Sequence, residues 1–192
     1  RRGSIDLDLP EAEVVVDLQG RPEDILKAER NAAHRLIESF MLAAKEAVAQ
    51  YLTARRLPVP YRIHEPPADD AIRDLGRFLE GFGLRLAVSE GGVRPAAFQH
   101  VLERVAGRPE ERLVNTLLLR AMTQARYAPK NAGHFGLAAP CYTHFTSPIR
   151  RYPDLVLHRI LAAHLRGDTR AIAATADDLA AICEESSKRE RL

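Results

Sequence analysis

The sequence predicts an α+β fold, in which short strands are combined with several longer helices. Residues 4–18 alternate between apolar and polar side chains and contain three consecutive valines. This pattern favours two antiparallel strands, one on each side of Pro10 and Glu11. Residues 29–54 carry apolar side chains at helical spacing, which is the clearest helix signal in the chain. Five later segments also begin or end with residues that favour helix termini.

Turn and capping residues divide the rest of the chain into elements. Helices are predicted over residues 69–82, 94–105, 108–127 and 170–192, with loops at 89–92 and 128–133. Residues 58–63 and 134–142 are predicted to be extended, because apolar and aromatic side chains there are bounded by glycine and proline. Helices therefore predominate, and the predicted strands are short.

One further helix ends at Arg166, before Gly167, and two starts are open for it. Ser147 and Pro148 have the residue types that begin helices, since serine can cap a helix and proline fits its first position. Pro153 would then lie inside the helix, where proline is disfavoured. Either the first turn is irregular, or the regular helix starts at Pro153.

Composition limits the class of protein. The 192 residues are 46% hydrophobic and 28% charged, which are ordinary values for a soluble globular domain. The chain has no run of 18 apolar residues and no signal-peptide pattern, so no membrane partner is expected. Two cysteines, Cys141 and Cys183, argue against a disulfide framework, and the cytoplasm is the predicted compartment. A net charge of +2 does not by itself indicate a nucleic-acid binder.

The chemically informative stretch runs from Gly133 to Arg159. Thr146 and Ser147 bring hydroxyl and backbone N–H groups to a predicted helix start, where anions bind favourably. Arg150 and Arg151 follow at once, and guanidinium groups match phosphate oxygens in shape and charge. This combination predicts a phosphate site for a nucleic acid.

Aromatic residues accompany these groups and leave two interpretations open. The four aromatic residues could stack on bases; they are Phe135, Tyr142, Phe145 and Tyr152. Phe135 and Phe145 fit the hydrophobic core equally well, and His158 is expected to face a neighbouring element of the fold rather than a ligand.

The stretch closely resembles the signature near the end of the catalytic (RNB) domain of the ribonuclease II and ribonuclease R exoribonucleases. Ribonuclease R is the nearer group, because of residues 133–137 and the Thr146–Tyr152 core. Other segments resemble the same family, so that the similarity covers almost the whole chain; they are residues 2–11, 29–38, 41–44 and 61–64.

The resemblance implies the fold of the C-terminal part of an RNB catalytic domain, a mixed β-sheet surrounded by α-helices. Residues 1–192 are expected to form a single partial domain whose strands complete a larger curved sheet, with apolar edges exposed. Both ends look interrupted, because Arg1 leads directly into a strand-like segment and the last helix continues to Leu192.

The resemblance also implies an activity, namely processive hydrolysis of single-stranded RNA from its 3′ end to nucleoside 5′-monophosphates, with Mg²⁺. Arg150 matches the catalytic arginine that stabilises charge on the phosphate. Glu38 matches a carboxylate that contacts the ribose, or is a helix acid paired with an arginine. The other predicted RNA-binding residues are His134, Thr146, Ser147, Arg151 and Tyr152.

The sequence departs from the family at several points. The family's aspartate cluster lies upstream of the segment matched by Arg1, so Mg²⁺ is expected on residues outside this chain and no metal site within it. The oligonucleotide-binding barrels that flank the domain in the family are also outside these 192 residues. Lys45 stands where the family usually has asparagine, and it adds positive charge near the RNA path.

These departures lead to two interpretations of function. The chain is expected to bind single-stranded RNA, to be inactive as a nuclease alone, and to pair with the missing remainder of its own domain. The alternative is a catalytically dead family member that binds RNA or a protein partner. Retention of Arg150 favours the enzyme, since a binding module has less need of an arginine at the scissile phosphate.

Overall fold

A computed structural model describes residues 3–6, 12–27 and 31–191, and it confirms the α+β class. Its elements, in chain order, are β1 (Ala12–Val16), β2 (Pro22–Lys27), α1 (Ala32–Ala54), β3 (Tyr61–Ile63), α2 (Asp69–Glu80), β4 (Val88–Ser89), β5 (Gly92–Val93), α3 (Pro95–Val105), α4 (Glu111–Ala121), β6 (Arg126–Ala128), α5 (Tyr152–Arg166) and α6 (Thr169–Arg189). Within the described residues, the strands form three two-stranded antiparallel sheets: β1–β2, β3–β6 and β4–β5.

The N-terminal strand pair differs from the sequence prediction. β1 pairs with β2, which follows it in the chain. The turn between them forms because the Asp17 carboxylate accepts the N–H groups of Gln19 and Arg21, at 2.9 and 2.8 Å. Of the predicted first strand, residues 7–11 lie outside the described part, and the Ile5 N–H donates to a distant carbonyl, that of Gly136.

Two predicted elements that flank β3 differ from the structure. The helix predicted over residues 108–127 ends at Ala121, because residues 126–128 instead form β6 beside β3. The strand predicted over residues 134–142 is irregular, although this segment still bonds to the other edge of β3. There the Arg62 N–H donates to the Tyr142 carbonyl at 3.0 Å. A parallel bridge joins His64 to His134, so that pairing around β3 is mixed.

Hydrophobic side chains form three buried clusters. One lies among α2, α3 and α4 around Phe98, and a second joins α1, β3, β6 and α5 through Leu52 and Leu157. The third lies between α5 and α6 and includes Tyr127. The first half of α1 does not enter these clusters, since Leu36, Ile37 and Phe40 are 56%, 57% and 63% exposed.

The start of α5 resolves the ambiguity at Ser147. Regular helix begins at Tyr152, with Pro153 in its first turn, where its missing N–H is not needed. The preceding residues form a turn in which the N–H groups of Arg150 and Arg151 reach the Ser147 carbonyl, at 3.3 and 3.2 Å. Ser147 therefore does not begin the helix.

A buried carboxylate holds this turn against α5. One oxygen of Asp154, a residue that is 0% exposed, accepts the Ser147 N–H at 2.9 Å and the Arg151 guanidinium at 2.8 Å. The Ser147 N–H, which the sequence suggested as an anion ligand, is thus engaged within the chain. The turn is therefore fixed by a charged pair in the interior.

Replacement of Asp154 by alanine should lower the free energy of unfolding by about 3–5 kcal/mol, because it leaves the Arg151 charge buried without its partner. Urea titration followed by circular dichroism measures this loss. Asp74→Ala is the matched control, since it removes a carboxylate from an exposed ion pair with Arg77 and should cost at most about 1 kcal/mol. Equal losses in the two variants would contradict a structural role for the buried carboxylate.

Candidate functional site

A cavity of about 320 Å³ opens beside the turn that precedes α5. Its wall combines that turn with the end of α6, which packs along α5; the lining residues are Tyr127, Arg150, Arg151, Tyr152, Pro153, Ser186, Arg189 and Glu190. The volume lies at the lower end of the range of small-molecule sites, about 300–1,000 Å³. It is therefore suited to a group about the size of one nucleotide.

The two adjacent arginines of the turn have different environments. Arg150 is exposed at the cavity, and no carboxylate of the described residues forms an ion pair with it. The Arg151 side chain is only 18% exposed and is paired with Asp154. Arg150 is thus the guanidinium that can meet an incoming anion, whereas Arg151 supports the turn.

Among the predicted binding residues of the motif, Tyr152 lines the cavity together with Arg150. Its ring is 53% exposed and lines the same cavity. Thr146 and Ser147 are partly buried in the approach to the turn and do not line the cavity. Arg151 is among the lining residues although Asp154 engages its guanidinium.

The other aromatic residues of the motif are occupied within the fold. Phe135 and Tyr142 are 7% and 4% exposed, and Phe135 belongs to the cluster around Phe98. Phe145 stacks on His158 with ring centroids 4.2 Å apart. The His158 Nε2 also lies 2.8 Å from the Phe145 carbonyl oxygen. The prediction that His158 faces a neighbouring element is confirmed.

Helix α1 brings two further charged residues to the turn. Glu38 and Lys45 are two helical turns apart and therefore share one face. Burial lowers the pKa of Lys45, the charges of Arg151 and Arg150 lower it further, and the carboxylates of Asp154 and Glu38 oppose this effect. All four groups are thus close enough to influence the ammonium.

A chain of rings in edge-to-face contact runs beneath the turn. It links Tyr127, His144, Tyr142, His134 and His64, with successive centroids 5.1–5.9 Å apart. At one end, the Tyr127 hydroxyl and His144 Nδ1 share a hydrogen bond of 2.8 Å. Tyr127 also donates its N–H to the Ser187 hydroxyl on α6, so this residue connects the ring chain to the wall of the cavity.

The two central histidines are uncharged at neutral pH. Burial, reinforced by the nearby His64 and Arg62, lowers the pKa of His134 to about 3. Burial, together with Arg151 and Arg62, lowers the pKa of His144 to about 3. His134 lines a different, more open cavity with His64 and Gly133, and so the structure does not bring it together with Arg150.

Sequence reasoning did not identify the α6 side of the site. Arg189 and Glu190 line the cavity, and Glu190 also pairs with Arg62 of β3. Both residues lie in a charged, helix-forming segment that looks like an ordinary solvated surface. Only the packing of α6 along α5 places them opposite Arg150, and the local sequence carries no signal of that packing.

The described residues do not fit a Mg²⁺ site. No group of three or more histidine, cysteine, aspartate or glutamate side chains in this part of the chain is arranged to hold a metal ion. Asp154 instead forms an ion pair with Arg151, and the Glu38 carboxylate favours the charged form of Lys45. Within the same ranges, none of the helices has the length and apolar character needed to span a bilayer.

The low pKa of the two histidines predicts how stability depends on pH. Each is protonated more readily in the unfolded chain, near its ordinary pKa of 6.5, than in the folded one, near 3. The contribution of the two histidines to the free energy of unfolding is therefore complete above pH 6.5. Below that pH it falls by about 1.4 kcal/mol per pH unit for each histidine.

Urea unfolding between pH 7 and 4 tests this, with His144→Asn as the variant, since asparagine keeps a polar atom near the Tyr127 hydroxyl. In this variant, the free energy of unfolding should lose about half of the pH dependence that the two histidines produce. His100→Asn, on the exposed face of α3, is the matched control and should retain all of it. If the slope of the free energy of unfolding against pH is unchanged in His144→Asn, the low pKa of His144 is contradicted.

Known proteins share both the sequence and the geometry. The RNB domain profile matches residues 1–167. The ribonuclease R of Aquifex aeolicus is 48% identical over 190 residues, which are 99% of this chain and 27% of that protein. Ribonuclease R 1 of Lactococcus lactis is 46% identical over 193 residues, which correspond to 100% of this chain and 24% of that protein.

A solved structure agrees with these relatives. The Mycoplasma genitalium ribonuclease R, in complex with ribose methylated single-stranded RNA, superposes with a TM-score of 0.91 at 31% identity, covering 98% of this chain and 30% of that one. The chain spans about a quarter of the length of the curated relatives that it matches. From the matched residues and the shared geometry, we conclude that this chain belongs to the RNB domain family.

Proposed function

We propose that this chain is the RNA-holding part of a processive 3′-to-5′ exoribonuclease that hydrolyses single-stranded RNA to nucleoside 5′-monophosphates. The observation that carries the proposal is Arg150, exposed at a cavity of nucleotide size and without an ion-pair partner in the described ranges. Family membership supports the reaction class, and the single-stranded RNA in the similar Mycoplasma genitalium structure supports the substrate class.

In this proposal, Arg150 donates hydrogen bonds from its guanidinium to the non-bridging oxygens of the phosphate that is cleaved. These bonds stabilise the charge on that group, and they gain strength if the donor is already held in position. The Asp154–Arg151 pair provides that preorganisation, because it fixes the turn on which Arg150 stands. Binding therefore requires little rearrangement of the backbone.

Two other residues contribute recognition. Tyr152 offers an exposed ring beside Arg150, where a base can stack without regard to its identity. Glu38 is proposed to accept a hydrogen bond from a ribose 2′-hydroxyl, the group that distinguishes RNA from DNA. Mg²⁺ is proposed to be held by residues outside this chain.

The cytoplasm remains the proposed compartment. Cys141 and Cys183 are both buried free thiols, as expected for a protein kept in a reducing environment.

Replacement of Arg150 by alanine should weaken single-stranded RNA binding roughly 10- to 100-fold, since a charge-assisted hydrogen bond contributes about 1.5–3 kcal/mol. Fluorescence anisotropy with a labelled oligoribonucleotide measures the Kd. Arg150→Lys should recover only part of the affinity, because lysine keeps the charge but not the planar fork. Arg77→Ala, a matched control on α2 outside the cavity, should bind as the unaltered chain does. If Arg150→Ala binds equally well, the proposed site is wrong.

The chain alone should show no useful nuclease activity, since the reaction is proposed to need acidic residues outside it. Incubation with a 3′-labelled single-stranded RNA and Mg²⁺ tests this, with release of labelled nucleoside monophosphate as the readout. Release at a rate near that of an intact homologue would refute the expectation. RNA binding without cleavage by the longer protein that contains this chain would instead favour the catalytically dead alternative.

A further inference from the structure

Lys45 occupies an unusual electrostatic position on α1. Its side chain is half-buried, and its ammonium lies 6.0 Å from the centroid of the Tyr142 ring, which is itself buried. Lysine commonly buries its aliphatic stem in this way while it directs the charged head towards solvent or a partner. Tyr142 belongs to the segment that leads into the Arg150 turn, so the ammonium lies on the same side of the fold as that turn.

The charges around Lys45 do not balance. Arg151 and Arg150 lie near enough to destabilise its charged form, in addition to the effect of burial. Two carboxylates oppose them, but Asp154 already accepts the Arg151 guanidinium and the Ser147 N–H. Glu38 has the weakest of these influences on the ammonium, and the ion pairs among the described residues do not include Lys45. Three cations therefore face one engaged carboxylate and one acid of weaker influence.

A surplus of positive charge that is partly removed from water is stabilised by an anion. Building on the proposed function, we infer that Lys45 is a second cation of the RNA site and contacts the phosphate backbone of the strand that Arg150 holds. The two cations differ in kind. The Arg150 fork can bind two oxygens of one phosphate in a defined geometry, whereas the Lys45 ammonium acts as a point charge that tolerates several phosphate positions.

A coupling between RNA binding and protonation follows. A phosphate beside Lys45 stabilises its charged form, so the pKa of Lys45 rises on binding from its lowered value in the free chain. RNA binding therefore takes up protons at alkaline pH, and affinity decreases as pH rises through the pKa of the free chain. The nearby Tyr142 does not obscure this, because burial raises its pKa to about 12.

The test compares Lys45→Met with Lys45→Arg in the full chain. Anisotropy with a labelled, fully 2′-O-methylated single-stranded RNA, which resists alkaline hydrolysis, gives the Kd against salt concentration and against pH. Lys45→Met should weaken binding several-fold, reduce the slope of log K against log salt by about 0.7, and remove the alkaline decline. Lys45→Arg should restore the affinity and the salt slope but not the alkaline decline, because arginine stays charged.

Controls separate this inference from the proposed function. Lys130→Met removes the same charge from an exposed loop and should leave the Kd and the salt slope nearly unchanged. If Lys45→Met binds like the unaltered chain while Arg150→Ala is weakened, the inference about Lys45 is overturned and the proposed site stands. If neither variant changes the Kd, both fail. Circular dichroism of each variant confirms that the fold is retained.

Discussion

The buried carboxylate of Asp154 is the constraint on which the site depends. A single oxygen joins the backbone of Ser147 to the side chain of Arg151, so that a turn of irregular backbone acquires one conformation. An ion pair removed from water is costly unless both members are well placed, and this pair is tied to the first turn of α5. Because Arg151 is directed inward by it, its neighbour Arg150 remains at the surface.

This arrangement explains why neighbouring residues of one motif have different tasks. Most of the motif builds the fold, through buried rings and the Asp154 pair, and only residues 150–153 of it line the cavity. The opposite wall comes from α6, which is anchored through Tyr127 and Arg62. The candidate site is therefore a junction between two helices and β3–β6, and not a property of the motif alone.

Local signals in the sequence were sufficient for the elements that depend on local physics. Helix α1 begins at Ala32 and α3 at Pro95, near the predicted starts at residues 29 and 94, because apolar periodicity and proline geometry act over a few residues. The hairpin partner of β1 and the end of α4 were missed, since both depend on pairing between distant segments. For the site, residue types indicated Arg150 and Tyr152, but not the burial of His134 or the approach of Arg189.

The chain of rings beneath the turn has a consequence for behaviour in an acidified environment. Its central imidazoles keep their neutral form far below pH 6, so mild acidification adds no positive charge at these rings. A stress that acidifies the surroundings by a unit or two therefore acts on the stability of the fold, because the unfolded chain takes up protons that the buried rings refuse. If the cavity binds RNA as proposed, the same stress leaves the charge of these rings towards the strand unchanged.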